Sequence, residues 1–211
     1  LIFSTFSSLG ISIIFTLINY FLIVVGVLIF HAVFTYSLLL TSLAKINPFI
    51  FFSKMREAII FAFSTSSSSA TMPVTLKTVE EKLGVDKSIS SFCIPLGTTI
   101  NMDGTAIMQG VATVFIAQVY QVDLSMMEYL MVIITATLAS IGTAGVPGVG
   151  LIMLAMVLQQ VGLPVEGIAL IIGVDRLLDM LRTAVNVSGD ATISCIVANS
   201  ENQLSRKDFI S

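Results

Sequence analysis

Five charged residues lie inside the last apolar stretch of the chain: Asp175, Arg176, Asp179, Arg182 and Asp190. Near the centre of a membrane helix each such charge costs about 2.5–3.5 kcal/mol on insertion scales. Five of them must therefore face protein, water or one another. Asp175, Asp179, Arg182, Asn186 and Asp190 follow at intervals of 4, 3, 4 and 4 residues. At about 100° per residue they fall within an arc of about 80°. This predicts a helix with one polar stripe, with Thr183 close to it. Arg176 sits about 100° away from Asp175 and is expected to snorkel to an interface. Structural ion pairs, Asp179 with Arg182 at i, i+3, are the plainer reading of the stripe. Three carboxylates, an arginine and an asparagine on one face exceed what packing needs.

A second cluster reads Thr98-Thr99-Ile100-Asn101-Met102-Asp103-Gly104-Thr105. In an unbroken helix Asn101 and Asp103 would point about 200° apart, and Gly104 weakens the helix further. A local break is expected here, where side-chain and backbone oxygens converge on a hard cation such as sodium. Asp103 and Asp190 are the counter-charges. A kink with capping residues is the plainer alternative.

The elements that hold these clusters belong in a bilayer. Of the 211 residues 55% are hydrophobic and 11% charged, against about 25% charged in soluble domains, and the mean hydropathy is +0.99. The first 44 residues carry no Asp, Glu, Lys or Arg. The run 11–43 exceeds the ~20 residues that span a membrane, which a tilted helix accommodates. It has neither the basic start nor the short apolar core of a signal peptide. Because the chain opens on Leu1 amid apolar sequence, the expectation is a truncated start, with residues 1–10 the end of a scaffold helix. A core domain over 11–200 and a polar tail over 201–211 complete the division.

Lysines and arginines cluster at Lys45, Lys54 and Arg56, at Lys77, Lys82 and Lys87, and at Arg206 and Lys207. The positive-inside tendency places all three clusters on the cytoplasmic side, so the segment between the first two must return to its own side. That segment, near 58–76, is uncharged and centred on Ser64-Thr65-Ser66-Ser67-Ser68-Ser69 with Pro73 beyond. It reads as two half-helices with a small polar tip, a re-entrant hairpin, rather than as a flexible serine linker. The stretch near 130–163 repeats the pattern around Gly142-Thr143-Ala144-Gly145-Val146-Pro147-Gly148. Paired interrupted hydrophobic segments point to a transporter's substrate site. The fold class expected is an all-α membrane protein: transmembrane helices plus two re-entrant hairpins arranged as an inverted repeat.

Other chemistries have little support. Cys93 and Cys195 stand alone in apolar stretches and make neither a disulfide framework nor a zinc site. His31, the single histidine, reads as buried or helix-lining. There is no basic stripe for nucleic acid. An intramembrane serine hydrolase would need a base beside the serine run, and a cation channel is disfavoured by the arginine in the stripe.

Four motifs, in order and covering residues 11–200, carry a resemblance to the dicarboxylate/amino-acid:cation symporter family. Ser66-Ser67-Ser68-Ser69 resembles the tip of that family's first hairpin, and Asn101-Met102-Asp103-Gly104-Thr105 its interrupted seventh helix. Gly142-Thr143-Ala144-Gly145-Val146-Pro147-Gly148 resembles its second hairpin. Asp179-Met180-Leu181-Arg182-Thr183-Ala184-Val185-Asn186-Val187-Ser188-Gly189-Asp190 resembles its eighth helix.

The resemblance implies sodium-coupled symport of glutamate or aspartate by alternating access, not catalysis, with sodium ions and no other cofactor. Proton coupling, or a C4-dicarboxylate substrate, is the alternative. Arg182 would bind the substrate's side-chain carboxylate and Asp179 its amino group. Asn186, Thr105, Thr183 and Ser68 would line the site, and backbone near Val146 and Gly150 would close over it. One sodium site would use Asp190 with main-chain oxygens of Gly97, Asn101 and Asn186. A second would use main-chain oxygens of Thr99, Ser140, Ile141 and Thr143 with the Met102 sulfur, and a third Asn101 and Asp103. The dicarboxylate branch lacks an acid at the position of Asp179, and the neutral amino-acid branch lacks an arginine at that of Arg182. Having both favours an acidic amino acid. Where relatives carry an extra arginine this chain has Ser66 and Met180, its own extra arginine being Arg176. A multi-pass protein of the plasma or inner membrane, trimeric through N-terminal helices, is implied.

Overall fold

A computed structural model describes residues 12–209, which are all-α; the expectation for residues 1–10 lies outside them. Helix α1 starts as Ser12–Phe30 and continues through a π-helical turn His31–Thr35, a turn Tyr36–Leu39 and a second π-helical turn Leu40–Ala44. Within it Phe15–Ala44 is long and apolar enough to cross a membrane. Lys45, at φ 56°, ends it.

Two helical pairs follow the expected tips. Asn47 caps α2, Pro48–Thr65, by accepting from the Phe49 N–H, and Pro48 occupies the first helical position, where its missing N–H costs nothing. Ser66 terminates α2 in the left-handed region, at φ 52°. Ser67 then caps α3, Ser68–Glu81, by accepting from Ala70 N–H. Helix α4, Lys87–Ile100, is capped by Asp86. After Asn101 and Met102, α5 runs Asp103–Val119. The capping box of Ser125 with Glu128 opens α6, Met126–Ile141. The Gly-rich tip leads to α7, Val149–Gln160, and α8 is a single helix, Ile168–Ser200.

The first pair reaches past its uncharged stretch at both ends, and the second only at its start, since α7 ends at Gln160. The first includes Lys54, Arg56 and Glu57 in α2 and Lys77, Glu80 and Glu81 in α3. The helices continue wherever backbone hydrogen bonding does, so charge marks a change of surroundings and not a helix end. The tail also has structure: Ser205 N–H donates to Gly84 O at 2.8 Å and Asp86 N–H to Gln203 O at 3.1 Å, docking it on the α3–α4 loop.

Helix α8 organises everything else. Its first half, with Leu170, Ile171, Leu178 and Val185, shares an apolar core with α5, α6, α7 and the start of α1. Its second half, with Val187, Ala191, Cys195 and Ala198, shares another with α2, α3, α4 and the end of α1. Each helical pair thus shares the core on one half of α8, and the tips meet near its middle, where the polar stripe lies. The outside is strongly apolar: Phe15 is 67% and Ile152 69% exposed, with Ile133, Ile134 and Leu138 of α6 also outward. Water-soluble monomers seldom carry such surface. Lipid does not drive helices together by water exclusion, so close backbone approach at small residues and internal polar contacts carry more of the association.

Candidate functional site

The stripe of α8 is one face, as its spacing predicts. Asp175, Arg182, Asn186 and Asp190 are buried, Asp179 is half-buried, and Arg176 points outward. Arg182 is 1% exposed. Its Nη2 lies 3.0 Å from Asp175 Oδ1 and 3.0 Å from Asp179 Oδ1. Neither approach is aligned as a hydrogen bond, so Nε, Nη1 and Nη2 have no hydrogen-bond acceptor among the described residues. The contact is Coulombic and the donor fork is unspent. That is unusual for a buried guanidinium, whose five donors are expensive to leave unpaired. Asp179 turns its other oxygen to the second tip, accepting from Gly148 N–H at 3.1 Å.

The tips close on this point. Ser67 Oγ donates to Gly145 O at 2.7 Å, and Ser69 N–H donates to the same carbonyl at 3.1 Å. A Cβ at Gly145 would meet Ser68 Cβ at 3.2 Å and Thr98 O at 3.1 Å, so the tips and the end of α4 are in direct contact. At Gly150, the N-terminal end of α7, a Cβ would lie 3.3 Å from Arg182 Nη1 and 3.2 Å from Thr105 Cγ2. Gly150, Thr105 and Arg182 therefore meet. Val146 is exposed, and its N–H is spent on Ala144 O within the tip. Thr183 donates to Asp179 O in its own helix. The N-terminal end of α7 faces Arg182 and Asp179, and its unpaired N–H groups favour an anion there.

The break in the fourth-to-fifth helix is present at Asn101 and Met102, whose backbone leaves helical geometry at ψ 88° and ψ 49°. It lets Asn101 reach α8: its Nδ2 donates to Asp190 Oδ1 at 2.9 Å and lies 3.4 Å from Asn186 O. Gly97 lies against the same carboxylate, since a Cβ there would fall 2.6 Å from Asp190 Oδ1. The set Gly97, Asn101, Asn186 and Asp190 is thus brought together. Asn186 also accepts from Gly104 N–H at 2.8 Å and turns Nδ2 to the Met102 sulfur at 3.2 Å.

Asp103 faces α1, where its Oδ2 is 3.0 Å from His31 Nε2 and 3.0 Å from the Tyr36 hydroxyl. In the second expected ion set Thr99 and Ile141 are exposed while Ser140 and Thr143 are buried, and α4 and α6, which carry or adjoin them, are in contact.

Sequence reasoning leaves four participants out of the site. Asp175 is visible in the stripe, but not its shared hold on Arg182. His31 reads as packing, and Tyr36 lacks any charge or motif to mark it. Gln109 is fully buried and donates to Gly150 O at 3.3 Å, with its own Oε1 unpartnered among the described residues. A polar residue inside apolar α5 is the available signal.

The sodium:dicarboxylate symporter family matches residues 1–200. Excitatory amino acid transporter 1 of Rattus norvegicus is 48% identical over 187 residues, 88% of this chain and 34% of that protein. Excitatory amino acid transporter 3 of Oryctolagus cuniculus is 47% identical over 190 residues, 90% of this chain and 36% of that protein. An excitatory amino acid transporter of Caenorhabditis elegans is 47% identical over 178 residues, 84% of this chain and 35% of that protein. The chain thus spans about a third of the length of these curated relatives. It is an all-α membrane protein and belongs to the sodium:dicarboxylate symporter family.

Proposed function

We propose that the chain is the transport core of a symporter that moves glutamate or aspartate with sodium by alternating access. The observation that carries this reading is Arg182, fully buried, charge-balanced by Asp175 and Asp179, and holding an unspent donor fork. A guanidinium fork matches a carboxylate bidentately. Asp179, one turn away, supplies the opposite charge for an ammonium group. The N-terminal end of α7 supports a second carboxylate. One acidic amino acid satisfies all three demands, whereas a dicarboxylate leaves Asp179 facing a like charge and a neutral amino acid leaves the Arg182 donors without an acceptor.

The cation sites follow from the anion. Asp190 with Asn101, Gly97 and Asn186, and Asp103 with Asn101, place carboxylates beside the substrate position. A bound sodium ion there raises substrate affinity, and substrate raises sodium affinity by the same factor. In this reading the helical pairs α2–α3 and α6–α7 are re-entrant gates, related as an inverted repeat. They enter from opposite faces of a plasma or inner membrane and open in alternation. The scaffold and trimer contacts lie in N-terminal helices of the longer protein.

Equilibrium binding to the full-length protein tests the assignment. Arg182→Ala should abolish L-aspartate binding and spare neutral amino acids. Asp179→Asn should weaken L-aspartate at least tenfold while weakening succinate little. Aspartate binding that survives Arg182→Ala in folded protein rules out the assigned carboxylate site.

A further inference from the structure

We infer that Tyr36, together with His31, is a positioning pair for the Asp103 carboxylate, holding one oxygen so that the other is presented to a monovalent cation. The inference rests on the sodium-coupled reading above. The pair meets Asp103 because α1 is irregular there. A π-helical turn, His31–Thr35, precedes Tyr36. Such turns are rare and concentrate at functional sites, because one extra residue per turn redirects the side chains beyond it.

The turn brings His31 Nε2 and the Tyr36 hydroxyl each to 3.0 Å from Asp103 Oδ2. A carboxylate only accepts, so Nε2 carries the hydrogen. The Tyr36 hydroxyl also lies 3.2 Å from Val185 O. Its single proton favours the charged acceptor, which makes the stronger bond. Both donors act on Oδ2 and leave Oδ1 without a hydrogen-bond donor among the described residues. A carboxylate pinned at one oxygen has lost its rotation before the ion arrives, so less ordering remains to be done on binding.

The arrangement is tight. Tyr36 is 2% exposed, and its ring meets the His31 ring edge-on at 4.8 Å. A Cβ at Gly189 would fall 2.6 Å from both the Tyr36 oxygen and Asn101 Nδ2. The tyrosine hydroxyl therefore borders the Asn101–Asp190 group as well as Asp103. It links α1 to both carboxylates assigned to cations.

The test uses the full-length protein in detergent, as wild type and as Tyr36→Phe, His31→Ala and His31→Gln. L-aspartate binding is titrated by calorimetry from limiting to saturating sodium, and the unfolding midpoint is followed against sodium without aspartate. Losing one hydrogen bond to a charged group should raise half-saturating sodium about tenfold in Tyr36→Phe and in His31→Ala, with His31→Gln restoring most of it through its amide donor. Aspartate affinity at saturating sodium should stay within about twofold, because neither residue touches the Arg182 fork. Unchanged half-saturating sodium in both Tyr36→Phe and His31→Ala overturns the inference. So does an equal loss of aspartate affinity at saturating sodium, which marks general damage. If the wild type shows no sodium dependence, the symport reading itself falls and the inference with it.

Discussion

Gly97→Ala perturbs the Asp190 half of the site through one methyl group. That methyl would fall 2.6 Å from Asp190 Oδ1, 2.9 Å from Cγ and 3.3 Å from Cβ. The oxygen can swing aside, but Cγ and Cβ belong to the root of the side chain. Asp190 and Ala191 are also buried at that level of α8. Moving the carboxylate breaks the 2.9 Å bond from Asn101 Nδ2. A hydrogen bond to a charged group is worth about 1.5–3 kcal/mol net, and overpacking costs about 1–3 kcal/mol. The two do not add, because yielding to the overlap is what breaks the bond, so about 2 kcal/mol is a consistent figure. Carried wholly by the cation site, about 2 kcal/mol raises half-saturating sodium roughly 30-fold. Calorimetric titration of L-aspartate across sodium concentrations reads that number. In sodium-free buffer the same substitution should lower the unfolding midpoint, and lower it less on an Asp190→Ala background, where the methyl has room. Half-saturating sodium within twofold of wild type would refute the claim that Asp190 ligates the ion from its present position.

Two further outcomes follow from other regions of the fold. Ser67 both caps α3 and donates to Gly145 O, so Ser67→Ala should cost about 1–2 kcal/mol and release bound aspartate several-fold faster in stopped-flow exchange; an unchanged release rate would separate the first tip from gating. Asp86 caps α4, and the hydroxyl and N–H of Ser88 hold its carboxyl below the usual aspartate range. Its folded value is depressed, so its contribution is complete above the unfolded aspartate value and is lost as pH falls through the folded one. The unfolding midpoint of Asp86→Asn should therefore fall less steeply than wild type in acid, and parallel curves would contradict this.

Much of the site is legible in the sequence because charge inside an apolar segment is expensive and must be organised. The α8 stripe obeys a 3.6-residue period, so its face follows from spacing alone. The break at Asn101 and Met102 is legible because two oxygen-bearing side chains could not otherwise share a cavity. The tips are legible as small-residue interruptions of uncharged stretches. Other features depend on contacts that have no period. The outer limits of the first pair run on through Lys54 and Lys77, since helices do not stop where the surroundings turn polar. The i, i+3 spacing offers Asp179 to Arg182, but nothing in it tells that Asp175 shares that arginine, or that each pair selects one half of α8. Tyr36 reaches Asp103 only because a π-turn rotates the chain past it, and no hydrophobic pattern marks that turn.

The central claim is symport of an acidic amino acid held by Arg182 and driven by sodium. Its most direct test is radiolabelled L-aspartate uptake by the full-length protein in liposomes, with and without an inward sodium gradient, beside Arg182→Ala. Concentrative uptake that requires the sodium gradient and vanishes in Arg182→Ala is the predicted result. Uptake driven by a proton gradient alone would contradict the sodium roles of Asp103 and Asp190, and no uptake under either gradient by folded protein would contradict the substrate.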